Sequence, residues 1–265
     1  DIQGALLETS DGEIYGLEHL DNLWLRANEI AFAAEEMTEP HGNTPSWQRF
    51  ADIQGKTITK VTYMLADQDD IWDADKLIIG IKAIQKLEED DENIPLLYYS
   101  NLRIVDEDNI FARISHAVPH VAKNKYAALI ENLATGCTVV YNKKLAQLAK
   151  EVNPIEYSMH DVWLYQTASI LGKTIYDFEP HINYRQHTDN VVGTSLKRVS
   201  WKKIKEIVNF ILSQDQKTIS TNTKALYEEF KSKLTEKDCE KFEEIRNYKK
   251  NLRTKLYLIF DRDLW

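Results

Sequence analysis

Cysteine is scarce, with two in 265 residues. Cys137 and Cys239 lie too far apart to form a metal-spacing motif and are too few for a disulfide framework, so a reducing, cytoplasmic setting is the simpler expectation. No stretch approaches the roughly 18 consecutive apolar residues of a spanning helix. The opening DIQGALLETSDGE lacks a basic segment followed by an apolar one, so a signal peptide is not expected. Internal repeats and low-complexity tracts are missing, which sets aside solenoids and compositionally disordered chains. Glycine and proline are absent from 197–260, and so are the turns they would mark.

Net positive charge is lacking too: the chain carries −9 overall. The deficit is uneven. Residues 194–265 hold seventeen Lys and Arg against eleven Asp and Glu, a net of +6, which leaves −15 for residues 1–193. Phosphate backbones need clustered positive charge, so an acidic body excludes nucleic acid as the main partner. The basic, partly amphipathic tail suits an anionic membrane face or a partner, and equally a solvated helical surface.

What is present is an alternation. Apolar, β-prone runs fall at 5–9, 29–34, 61–66, 96–100, 138–141 and 173–178. Helical spacing separates them. In 74–87 the apolar Leu77, Ile78, Ile81, Ala83, Ile84 and Leu87 form a stripe, with Lys76, Lys82 and Lys86 assigned to water. The segment 161–171 ends against Gly172, a candidate helix-terminating glycine. Such alternation predicts a three-layer α/β sandwich with a mostly parallel sheet over residues 1–193. Residues 194–265 read as a helical C-terminal extension, with apolar Ile204, Val208, Ile211 and Leu212, a polar interruption at 213–223, then Leu226, Phe230 and Leu234.

One short segment carries chemistry. Asp67-Gln68-Asp69-Asp70 directly follows the apolar run 61–66. A buried strand ending in carboxylates places them at the carboxyl edge of a sheet, where open α/β folds bind ligands. Three carboxylates in four residues repel unless a cation offsets them. Their hard oxygens suit Mg²⁺ or Mn²⁺, which keep positions open for phosphate. Taken alone, the run divides evenly between a cation site and a solvated acidic loop.

The wider string ADQDDIWDADKL resembles the donor site of the family 2 glycosyltransferases, in the bacterial rhamnosyltransferase-like branch. Further stretches resemble that family in the same order: Ser10-Asp11-Gly12, Gly42 through Trp47 with Arg49, LYYSNLRIVD at 97–106, Thr135-Gly136-Cys137, His160-Asp161-Val162-Trp163, and Tyr184-Arg185-Gln186-His187 with Asn190 through Gly193. Several matches in order outweigh any one of them. The resemblance implies a GT-A fold and an inverting, metal-dependent transfer. A nucleotide-diphosphate sugar, with rhamnose as one candidate, would donate to a glycan or lipid-linked acceptor for cell-surface polysaccharide. The work would be done in the cytoplasm, with peripheral contact at the inner membrane face through the C-terminal helices.

Residue roles follow from the resemblance. Asp161 is the base that takes the acceptor proton, against a simpler reading as a helix N-cap. Asp69 contacts the metal, with Asp67 shared between metal and donor and His187 a third ligand. Asp70 and Arg185 join Asp11 on the donor side. Gly136, Cys137, His160 and Trp163 line the acceptor side, although Trp163 and Trp72 read as packing residues in preference to sugar platforms.

The likeness covers about residues 1–193. The family's first strand, its following loop and its first helix have no counterpart, because residues 1–9 align with the second strand. A missing interior strand bares its neighbour's backbone donors and acceptors. The chain is then a piece, or it is rearranged at its N-terminus, or it has lost donor binding. The rival functions are a non-catalytic binding or scaffold module with an incomplete donor site, and a Mg²⁺-dependent phosphohydrolase. The latter fits residues 67–71 poorly.

Overall fold

The computed structural model describes residues 2–9, 14–17, 58–66, 70–106, 108–117, 122, 124–150, 159–185 and 217–247. Its strands are β1 (Ile2–Thr9), β2 (Ile14–Leu17), β3 (Ile58–Ala66), β4 (Ile71–Trp72), β5 (Leu96–Val105), β6 (Phe111–Ile114), β7 (Val140–Asn142) and β8 (Lys173–Arg185). Its helices are α1 (Lys76–Glu88), α2 (Lys143–Lys150), α3 (His160–Leu171), α4 (Lys217–Phe230) and α5 (Glu236–Arg246).

The expected flat, mostly parallel sheet is not what forms. The eight strands make one sheet in the order β2-β1-β3-β7-β5-β8-β4, with β6 also on β5. It curls strongly into a half-barrel. Among the described pairings only β5 with β8 is parallel, and every other one is antiparallel. The physical reason lies in the connections. Parallel neighbours need a crossover, whereas β1–β2 and β5–β6 are joined by short reversals that force antiparallel pairing. The strand β7 runs against both neighbours, so β3 and β5 share a direction, and β8, parallel to β5, shares it too.

On the side of β3 away from β7 lies β1. It pairs antiparallel with β3 from Ile2↔Ala66 to Thr9↔Ile58, with one irregularity at Glu8/Thr9. The backbone groups along that side of β3 are met in this way.

Core packing follows the sequence pattern with two exceptions. In α1 the buried positions are Lys76, Gly80, Ile81 and Ile84. The lysine assigned to water is thus buried, because it shares the i, i+4, i+8 row with Gly80 and Ile84. The run 138–141 does not begin as a strand: Gly136–Thr138 is a 3₁₀ turn, and β7 starts at Val140. Tyr63 and Tyr141 stack across the β3–β7 pair at 5.4 Å between centroids.

The C-terminal helices share the main core. Leu226, Tyr227, Phe230, Phe242 and Ile245 are buried in one cluster with Tyr63, Leu97, Tyr99, Trp163 and Leu164. The polar interruption expected at 213–223 is helical from Lys217 onward. Residues 194–216, with Ile204 through Leu212, lie outside the described residues. Among the described residues no helix is long and apolar enough to cross a membrane.

Candidate functional site

The shared direction of β3, β5 and β8 gathers their carboxyl ends, and the amino end of β7, on one edge of the sheet. The 3₁₀ turn Gly136–Thr138 enters β7 there and is tied to β3 by Leu65 N–H donating to the Val139 carbonyl at 3.3 Å. The acidic run begins immediately after β3 ends at Ala66. Its last member, Asp70, accepts the backbone N–H of Arg185, the final residue of β8, through Oδ1 at 3.2 Å. Asp70 and Arg185, both expected on the donor side and 115 residues apart, are therefore in contact. Asp67, Asp69, His187 and Asp11 lie outside the described residues.

Asp161 stands on the same turn. A methyl group on Gly136 would lie 3.5 Å from His160 Nε2 and 3.6 Å from Asp161 Cβ, so the glycine is in ordinary contact with both. The N-cap reading of Asp161 is corrected. Met159 occupies the cap position and Asp161 lies inside the first turn of α3. Its Oδ1 accepts the Val162 N–H at 2.7 Å and its Oδ2 accepts from Asn132 Nδ2 at 3.2 Å. Asn132 is itself fixed, donating to the Ala134 carbonyl at 3.0 Å and accepting the Ala134 N–H at 3.2 Å. Asp161 is 5% exposed, a carboxylate locked on both oxygens and still adjoining a turn. Burial pushes the neighbouring His160 imidazole below its ordinary pKa, partly countered by the Asp161 charge. Neutral imidazole is thus favoured near neutrality.

Trp163 is placed differently from the other acceptor-side candidates. It is buried and stacks on Phe230 of α4 with 6.3 Å between centroids, which is a packing role. Cys137 is fully buried and its carbonyl accepts from Lys76 Nζ at 2.7 Å. Trp72 lies beneath that ammonium.

Sequence reading missed two of these residues. Asn132 carried no signal beyond being an Asn before a turn. Lys76 did carry one, its i+4 spacing to Gly80, and was outvoted by charge.

The carboxylates expected to hold a divalent cation, Asp67 and Asp69, are among those outside the described residues. A second group of ligand types lies elsewhere, where oxygens of Asp73 and Asp75 and a ring nitrogen of His181 fall within 4.8 Å of one another. Two of the three are already engaged, since Arg103 is ion-paired with Asp73 and His181 Nε2 lies 3.1 Å from Asp177 Oδ2. Arg103 of β5 also donates to Asn183 and to the Pro180 carbonyl of β8, so it braces β5, β8 and the approach to α1.

No protein-family model matches the chain, and no curated protein matches its sequence significantly.

Proposed function

We propose that this protein is an inverting glycosyltransferase, moving a sugar from a nucleotide-diphosphate donor to a glycan or lipid-linked acceptor, with Asp161 as the general base. One observation carries the reading. A buried carboxylate, held by Asn132 and the Val162 N–H, adjoins Gly136 on the same sheet edge to which Asp70 and Arg185 converge.

Inverting transfer is one displacement at the anomeric carbon. The acceptor oxygen forms its bond to that carbon as its proton passes to Asp161. The bond from the anomeric carbon to phosphate oxygen breaks, and its electron pair leaves with the nucleoside diphosphate. Asp161 suits the base because its carboxylate is oriented before the acceptor arrives, and such help is worth roughly 10²–10⁴ in rate. The Arg185 guanidinium is the candidate for a phosphate oxygen. Asp67 and Asp69, with His187, would hold Mg²⁺ or Mn²⁺, which supplies positive charge to the departing diphosphate.

Membrane contact is not assigned to α4 and α5, whose apolar residues are spent in the core.

The test is a mass-spectrometric screen of nucleotide-diphosphate sugars with Mn²⁺, comparing wild type with Asp161→Asn and Asp69→Asn. Transfer by wild type and its loss in both variants is expected. Full transfer by Asp161→Asn would refute the base assignment. If folded wild type binds no nucleoside diphosphate in calorimetry, the scaffold reading replaces the enzyme. Phosphate release without an acceptor would point to the hydrolase.

A further inference from the structure

An ammonium group is a strongly hydrated point charge, and burying it is costly unless its charge and N–H groups are met. Lys76 is 1% exposed, at the first position of α1. Its Nζ donates to the Cys137 carbonyl at 2.7 Å. The same nitrogen lies 3.4 Å from the centroid of the Trp72 ring, a cation on an aromatic face. Each contact belongs to a different end of the site. Trp72 lies in β4, just after Asp70, and pairs with Ile182 of β8. Cys137 lies in the turn whose Gly136 rests against His160 and Asp161. Within that turn the Thr138 and Val139 N–H groups bond to Thr135 and Gly136, while the Cys137 carbonyl takes Lys76.

We propose that Lys76 is a positioning residue for the transfer reaction. By holding the Cys137 carbonyl over Trp72, its ammonium fixes the separation between the Asp161 end and the Asp70–Arg185 end of the site. This inference rests on the transferase reading above. A charged donor performs this better than a neutral one, because the carbonyl bond is charge-assisted and the ring face attracts the same cation. Lys76 touches neither sugar nor diphosphate in this scheme, so its loss acts on geometry at the reacting centre.

Two measurements on the full chain test it, using Lys76→Met, which keeps length and volume, and Lys76→Arg, which keeps a cation. The first is amide hydrogen exchange of the folded proteins. Lys76→Met should speed exchange about tenfold at 136–140 and leave 217–247 unchanged, and Lys76→Arg should recover most of the protection. The second is manganese-dependent nucleoside diphosphate release from the donor identified in the screen. Lys76→Met should lower kcat about a hundredfold while the donor KM stays within about threefold, and Lys76→Arg should restore part of kcat. Unchanged exchange at 136–140 in folded Lys76→Met overturns the proposal, as does a loss confined to KM. Failure of both variants to fold also overturns it, since Lys76 would then be a core residue. If wild type releases no diphosphate from any donor, the transferase reading fails and the exchange data alone decide the clamp.

Discussion

Asp161, the proposed base, is held through both of its carboxylate oxygens. One accepts from its own helix at Val162, the other from Asn132, whose amide is pinned on both sides to Ala134. Asp161→Asn nearly keeps the shape, removes the basicity and turns one accepting oxygen into an NH2 that faces a donor, so transfer should fall by roughly 10²–10⁴ while stability drops by about 1–3 kcal/mol. Turnover and thermal melts of the same preparation check this. Asn132→Ala frees the carboxylate to turn away. We expect a kcat about tenfold lower with the donor KM retained, measured under saturating donor.

Elements are placed here by close approach as much as by apolar area. Gly172 ends α3, and its backbone is not in the left-handed region that usually demands glycine. The demand comes from packing: a methyl group there would lie 1.9 Å from the Pro95 carbonyl oxygen, and Lys173 N–H donates to that same oxygen at 3.1 Å. Gly80, on the buried face of α1, would put its methyl 2.7 Å from Val140 Cγ2, a side-chain atom and not backbone. Gly172→Ala must displace backbone at the start of β8 and should cost about 3 kcal/mol or more, whereas Gly80→Ala should cost about 1–2 kcal/mol. Urea unfolding of the pair gives the ranking, and equal costs would contradict it.

At the scale of the molecule, the C-terminal helices are fastened to the element that carries the candidate base. Trp163, two residues beyond Asp161, stacks on Phe230. Asp238 of α5 closes a capping box with Thr235 and accepts from the Tyr126 hydroxyl at 2.8 Å, with Lys125 Nζ at 2.6 Å. The turn bearing Tyr126 is bonded in turn to α3, since Gln166 Nε2 donates to the Ala128 carbonyl at 3.1 Å. Burial pushes the Asp238 carboxyl up, but hydrogen bonds from Lys125, Thr235 and Tyr126 outweigh it and bring the pKa from 3.8 to about 2. The folded state therefore binds this proton less readily than the unfolded chain. Its stabilisation is fully present above the unfolded value and is lost as pH falls through the folded one. Melts of wild type and Asp238→Asn should differ most above pH 4 and converge toward pH 2. Phe230→Ala empties the contact with Trp163 and should cost about 3–5 kcal/mol by denaturant unfolding, with transfer activity falling in the folded remainder.

Local chemistry was legible in the residues alone. The strand into Ala66, the helix after Asp75, the helix of Asp161 and its end at Gly172 follow from apolar period and breakers, which act within a few residues. The placement of Asp70, Gly136, Asp161 and Arg185 beside strand or helix ends was legible too. Strand direction was not, since alternation of β and α patterns does not record whether a chain reverses by a hairpin or crosses over. Nor did the sequence show that β1 lies antiparallel on β3, a choice made by backbone groups needing partners. Lys76 is the plainest case. Its charge argued for water, and its burial became visible only when Trp72 and the Cys137 carbonyl, 61 residues away from it in sequence, were brought to either side of the ammonium. Sequence fixes which groups can bond over short spans, while long-range packing selects which of them meet, because only the folded chain sets the dielectric and the partners that each group experiences.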